Sequence, residues 1–127
     1  MDRSAFKKPR QYFDTTSRPS HVTFDDGKNQ KRNFPWMHFV EARWDYGEPD
    51  VVKVLIGDCL VVIAGFNITA LFIAIEDQAL ARVRAQPELA RDGDHVADSF
   101  ATEIRFLRAP EISPKREGQT ELKLGLD

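Results

Sequence analysis

The sequence has few of the residues on which disulfide scaffolds and membrane spans depend. Cys59 is its only cysteine, so no intrachain disulfide can form and a reducing, cytoplasmic compartment is expected. No apolar run approaches the ~20 residues of a membrane helix, and no apolar block follows the basic N-terminal residues as in a signal peptide. The sequence therefore predicts a cytoplasmic protein with no membrane partner.

Motifs for catalysis and cofactor binding are also missing. His21, His38 and His95 lie far apart, and no Cys-x-x-Cys or His-x-x-x-His spacing is present to hold a metal. There is no Gly-x-Gly-x-x-Gly or Walker sequence, so no dinucleotide or phosphate site is expected. Cys59 lies in an apolar run, which is typical of a small buried side chain rather than of a nucleophile. We therefore predict no catalytic residue, no cofactor and no metal site.

Charge is distributed unevenly along the 127 residues, although the net charge is only -2. Residues 1–32 hold eight Lys and Arg against four Asp and Glu (+4), residues 33–108 seven against twelve (-5), and residues 109–127 three against four (-1). The first segment has Val22 as its only Ile, Leu or Val, too little to offset an ordering entropy of roughly 1–2 kcal/mol per residue. We expect a flexible basic arm over 1–32, a single domain over 33–108 and a flexible tail over 109–127.

Alternation of apolar and polar residues predicts four strands in the middle of the chain. The even positions of residues 36–46 are mostly apolar or aromatic, which indicates a half-buried strand. The runs Val51–Ile56 and Cys59–Ala64 are separated by Gly57 and Asp58, which is typical of a tight antiparallel hairpin. Residues 100–106 alternate again and predict a fourth strand that ends near Arg108.

A helix is predicted between the third and fourth strands. At 100° per residue, six apolar side chains fall within one arc of about 120°: Ile68, Leu71, Phe72, Ile75, Ala79 and Val83. Asn67 lies where an N-cap belongs, and the helix should run from about Ile68 to about Arg84, before Pro87. The expected class is α+β: an antiparallel three-strand meander, one helix packed on a face, then a fourth strand (β-β-β-α-β), with flexible N- and C-terminal tails.

The predicted hairpin has apolar residues on both faces. With Gly57 and Asp58 as the turn, one apolar set faces the helix: Val52, Val54, Ile56, Cys59, Val61 and Ile63. The other face is also apolar apart from Lys53, although a sheet face in water is normally polar; it holds Val51, Leu55, Leu60, Val62 and Ala64. The odd positions of the first strand add two residues, so the candidate contact surface consists of Met37, Phe39, Leu55, Leu60 and Val62.

Three functions follow from these patterns. An apolar second face predicts a protein–protein interaction or assembly module without catalysis; its cover would be a second copy, a protein partner, sheet curvature or the arm's aromatic residues. The first alternative is a nucleic-acid-associated protein that binds through the arm, where basic residues alternate with Phe6, Tyr12, Phe13 and Phe24. The second alternative is a small enzyme with a site in the 91–98 loop, where His95 lies among carboxylates.

Overall fold

The computed structural model describes residues 8–109, and these form mostly strands. The strands are β1 (Phe13–Thr15), β2 (His21–Asp25), β3 (Lys31–Pro35), β4 (Phe39–Arg43), β5 (Val51–Ile56), β6 (Cys59–Phe66), β7 (Leu80–Arg84) and β8 (Phe100–Arg108). The helices are α1 (Thr69–Glu76), between β6 and β7, and the short α2 (Glu88–Arg91). Single 3-10 turns cover Trp36–His38 and Gly93–His95.

The predicted α+β meander with one helix is wrong, because the chain builds two four-stranded sheets. Their strand orders are β1-β7-β2-β3 and β4-β5-β6-β8. Strands hold 48% of the described residues and helices 18%, so the domain is mostly β. The inward faces of both sheets contribute to one hydrophobic core, for example Phe24 and Val83 from the first sheet and Val54 and Ile63 from the second. Helix α1 contacts one strand of each sheet, β4 and β7.

The described part of the predicted flexible arm belongs to this core, so that expectation is wrong for residues 13–32. They form β1, β2 and the start of β3, and Val22 and Phe24 are completely buried. The rings of Phe24 and Phe34 pack edge to face with their centroids 6.0 Å apart. The prediction counted aliphatic residues over the whole segment, whereas a strand needs apolar groups only at alternate positions. Residues 1–7, and the predicted tail from residue 110 onward, lie outside the described residues.

The turn between β2 and β3 explains how this hairpin forms in a polar stretch. The Asp26 carboxylate accepts hydrogen bonds from the backbone N–H groups of Lys28, Asn29 and Gln30 at 2.8–3.0 Å. These three bonds lower the pKa of Asp26, with that from Lys28 contributing most. The turn therefore satisfies its own backbone donors and leaves β2 and β3 in register.

Helix α1 ends at Glu76 and not near Arg84 as predicted. Gln78 adopts a left-handed φ of 53°. The N–H groups of Gln78 and Ala79 donate to the carbonyl oxygens of Ile75 and Ala74 at 2.9 and 2.8 Å. These two bonds form a Schellman motif, which ends the helix although its left-handed residue is not glycine.

The residues after α1 form a strand and not a continuation of the helix, although Ala79 and Val83 lie on the predicted apolar arc. Leu80 and Val83 are both buried. In β7 they pair with Thr15 and Phe13, and the register shifts between these two pairs. The extra residue places Leu80 and Val83 on one face although they are three positions apart, so β7 lacks the period of two that indicates a strand. Residues 80–84 thus form a strand that pairs with β1 and, in parallel, with β2.

The β5–β6 hairpin is confirmed in its predicted register. Ile56 pairs with Cys59, Val54 with Val61 and Val52 with Ile63, and all six side chains are at most 2% exposed. Strand β8 extends from Phe100 to Arg108 and lies antiparallel to β6. No helix within residues 8–109 is long and apolar enough to cross a bilayer.

Candidate contact surface

The outward side of the β4-β5-β6-β8 sheet carries the apolar residues that the core does not use. In one row across the four strands, Glu41 pairs with Leu55, Leu55 with Leu60, and Leu60 with Leu107. Because paired residues share a face, the neighbouring rows complete the same surface. We refer to it as the second-sheet outer face; its members on β5, β6 and β8 are Val51, Lys53, Leu55, Leu60, Val62, Ala64, Glu103, Arg105 and Leu107.

Three of the five predicted contact residues lie on this face. Leu55 and Leu60 are half-buried and adjacent across β5 and β6. Val62 lies one row further along and is 7% exposed, because its neighbours on the sheet cover most of it.

The other two predicted contact residues lie elsewhere. Phe39 pairs with Ile56 and Glu41 with Leu55, so Val40 is an extra residue in β4. This bulge reverses the side on which Phe39 lies. The Phe39 ring therefore packs inward, edge to face on Trp36 at 5.3 Å, while Met37 lies in the 3-10 turn and is 85% exposed.

Leu107 belongs to this surface and was missed from the sequence. It is 42% exposed and pairs with Leu60. The sequence contained a signal for Leu107. The alternation that predicts β8 assigns the odd-numbered residues of the strand to the side opposite Ile104 and Phe106. Extending that alternation one step places Leu107 on the outward side, and the pairing of β8 with β6 brings it beside Leu60.

Both signs of charge surround the apolar rows. The Lys53 ammonium lies 3.1 Å from a Glu48 carboxylate oxygen, and Arg105 lies 4.0 Å from Glu103. These groups, with Leu60, Val62 and Leu107, line a shallow groove of about 320 Å³. The surface thus has an apolar floor and a mixed, locally neutral rim.

The outward side of the first sheet is different in character. Asn33 donates to the Thr23 hydroxyl at 2.9 Å, and Arg84 lies 3.9 Å from Asp25. Arg82 pairs with Thr23 in the same layer of side chains. This face is polar across its width, as expected for a sheet face in water.

The 91–98 loop is built around His95, which lies between two carboxylates. Its Nδ1 is 2.9 Å from Asp98 Oδ2, and its Nε2 is 3.3 Å from Asp92 Oδ2. The other Asp98 oxygen accepts the backbone N–H of Arg10 at 2.8 Å. The Tyr12 hydroxyl is 3.3 Å from His95 Nδ1, and the two rings meet edge to face. This cluster fastens the loop to residues 10–12.

The pKa of Asp98 is lowered, chiefly by its hydrogen bond with His95 and then by the N–H of Arg10. A carboxyl group whose pKa falls on folding stabilises the fold above its unfolded pKa, near ~3.9, and this contribution is lost as the pH falls through the folded value. We expect Asp98→Asn to be less stable than the wild type at pH 7 and to lose less stability on acidification below about pH 4. Urea unfolding at both pH values measures this.

Asp94→Asn is the matched control, since Asp94 belongs to the same loop and its side chain is exposed. For Asp94→Asn, the free energy of unfolding should fall between the two pH values by about as much as it does for the wild type. Equal acid sensitivity of Asp98→Asn and the wild type would show that the His95 cluster does not stabilise the fold.

Three of the aromatic residues predicted to serve a nucleic-acid-binding arm lie within the described residues, and all three pack against other parts of the protein. Phe24 is completely buried, and Phe13 packs against the core. Tyr12 contacts His95 and Phe100. These three rings contact other parts of the protein, so the described part of the arm offers less aromatic surface for stacking on bases than the sequence predicted.

Cys59 is buried at the β5–β6 turn, 2% exposed. Burial raises the pKa of its thiol, although the Arg32 guanidinium, with Nη1 3.5 Å from Sγ, acts in the opposite direction. Arg32 itself is held over the rings of Phe34 and Phe106. Because the thiolate is the reactive form, this environment suits an unreactive core cysteine.

Comparison with known protein families, curated proteins and solved structures finds no match to this chain. In the part of the chain from residue 8 to residue 109, no group of three or more His, Cys, Asp or Glu side chains is arranged to hold a metal ion.

Proposed function

We propose that this protein is an assembly module that forms a homodimer through the second-sheet outer face. The observation that carries this proposal is the contrast between the two outward faces of one domain. The first sheet presents polar groups to solvent, whereas the second presents Leu55, Leu60 and Leu107 in a row. An apolar patch that a protein keeps on an otherwise polar surface usually marks a contact with another molecule.

A second copy of the chain suits this surface because the charges around it are self-complementary. Lys53 and Arg105 lie on the same face as Glu48 and Glu103. In a two-fold interface a residue away from the axis meets a different residue of the identical partner, so a face with both signs can pair its charges with a copy of itself. A partner of one strong charge would leave half of these groups opposed by like charge.

A cytoplasmic location belongs to the same proposal. Cys59 is free and buried, and as the only cysteine of the sequence it has no intrachain partner for a disulfide. A single unpaired thiol is typical of proteins in a reducing compartment.

Light scattering on Leu60→Lys tests the dimer. We expect the wild type to have twice the monomer mass and the variant to have the monomer mass, because an ammonium group at the centre of the interface would be buried without a partner. Far-UV circular dichroism should remain unchanged, since Leu60 is only half-buried in the monomer.

Met37→Lys is the matched control, because Met37 is exposed and lies off the second-sheet outer face; it should remain dimeric. If Leu60→Lys does not fold, Leu107→Lys makes the same test at an exposed position near the end of β8. A monomeric wild type, or unchanged mass in a folded variant, would overturn the proposal.

A further inference from the structure

A second apolar concavity lies next to the end of β4, away from the second-sheet outer face. It has a volume of about 350 Å³ and is lined by Trp44, Asp45, Tyr46, Pro49 and Phe72. The rings of Trp44 and Phe72 are 5.4 Å apart, with an angle of 51° between their planes. Two tilted ring faces thus form adjoining walls of one pocket.

The pocket is held in shape by a hydrogen bond and is open to solvent. Trp44 Nε1 donates to the Pro49 carbonyl oxygen at 3.0 Å, which fixes the indole against the loop that follows β4. Tyr46 lies at the rim with its side chain fully exposed, the most exposed of the large hydrophobic residues between 8 and 109. A third aromatic ring is therefore available to close over a bound group.

The surroundings of this pocket are acidic. Residues 41–50 contain four Asp and Glu and a single basic residue, Arg43. Helix α1, which supplies Phe72, ends in Glu76 and has no basic residue in its last turn. Arg43 itself is 3.4 Å from Asp45. Lys53 lies 3.1 Å from Glu48 and offsets that carboxylate. Among the described residues, Asp45 is the one charged residue that lines the pocket, and its carboxylate attracts a cation more than a neutral or negative ligand.

We propose that the Trp44–Tyr46–Phe72 pocket binds a methylated ammonium group. The faces of aromatic rings attract cations, most strongly for tryptophan, and a cage of such rings suits quaternary ammonium groups. A trimethylated ammonium group has no N–H to donate, so it needs none of the hydrogen-bond acceptors that an unmodified lysine requires. Its size is compatible with a pocket near the lower end of the range for small-molecule sites, about 300–1,000 Å³.

Titration by NMR tests the pocket directly. The probes are choline and Nε-trimethyl-lysine, and the matched neutral control is 3,3-dimethylbutan-1-ol, in which carbon replaces the nitrogen of choline. We expect a saturable shift of the Trp44 indole signal with the cations and binding about tenfold weaker with the neutral alcohol. Trp36 is an internal reference, because it is buried and its indole donates to the Leu80 carbonyl oxygen.

Variants distinguish the aromatic pocket from unspecific effects. Tyr46→Ala and Asp45→Asn should weaken binding of both cations, whereas Met37→Ala should not. The cation that binds more tightly identifies the source of the group, a free choline-like molecule or a modified lysine. Equal binding of the neutral alcohol, or the absence of a saturable shift, would overturn the proposal. Leu60→Lys should bind the probes as the wild type does. The proposal for this pocket and the proposal for the dimer can therefore be overturned independently.

Discussion

Replacing Phe24 with alanine is expected to lower the free energy of unfolding by about 3–5 kcal/mol, a large share of the total for a domain of this size. Phe24 is completely buried, pairs with Val83 across β2 and β7, and packs edge to face on Phe34. Removing its ring opens a cavity where the two hairpin strands meet the core. Chemical denaturation followed by circular dichroism measures the loss.

Tyr46→Ala provides the matched aromatic control. Its side chain is fully exposed, so the change should remain within about 0.5 kcal/mol of the wild type. Equal stability of the Phe24 and Tyr46 variants would mean that the N-terminal strands do not contribute to the core, as the composition of residues 1–32 first suggested.

Replacing Gly65 with alanine is expected to cost about 3 kcal/mol or more. Gly65 lies in β6 at the point where the β6–β8 register shifts. A Cβ atom there would overlap the Phe100 carbonyl oxygen and lie 2.9 Å from Ala101 Cα. Both are backbone atoms of the neighbouring strand, so no side-chain rotation can relieve the overlap, and the strands must separate. Thermal unfolding should show a markedly lower midpoint.

Gly47→Ala is the control for this substitution. A Cβ at Gly47 meets no atom within 4 Å, so its unfolding midpoint should change little. If Gly65→Ala were as stable as Gly47→Ala, the close approach of β6 and β8 at this point would be contradicted.

The sequence predicted best those elements whose pairing is local. The β5–β6 hairpin depends on a two-residue turn and on alternation within a few positions, and both are readable in one short window. Strand β8 was found from the alternation within its own residues, although its pairing with β6 is long-range. The first sheet was missed because its central pairing joins β2 to β7, two segments far apart in the chain, and neither has a strong periodic signal by itself. A left-handed Gln78 in place of glycine concealed the end of α1.

The candidate surface was predicted in part for the same physical reason. Leu55, Leu60 and Val62 follow from the hairpin register and needed no information from outside it. Phe39 was misplaced because a bulge at Val40 changes the face of every residue before it. The aromatic pocket was not predicted, since Phe72 reaches Trp44 only when α1 is packed against β4.

The parallel pairing of β2 with β7 also constrains the order in which the protein can fold. Thr23 pairs with Arg82, so the first sheet remains incomplete until synthesis has passed β7. The β5–β6 hairpin needs only neighbouring residues and can form early, whereas closing the long loop between β2 and β7 carries an entropic cost that slows folding. During translation, the Val22 and Phe24 side chains therefore remain without their partner strand until β7 has been synthesised.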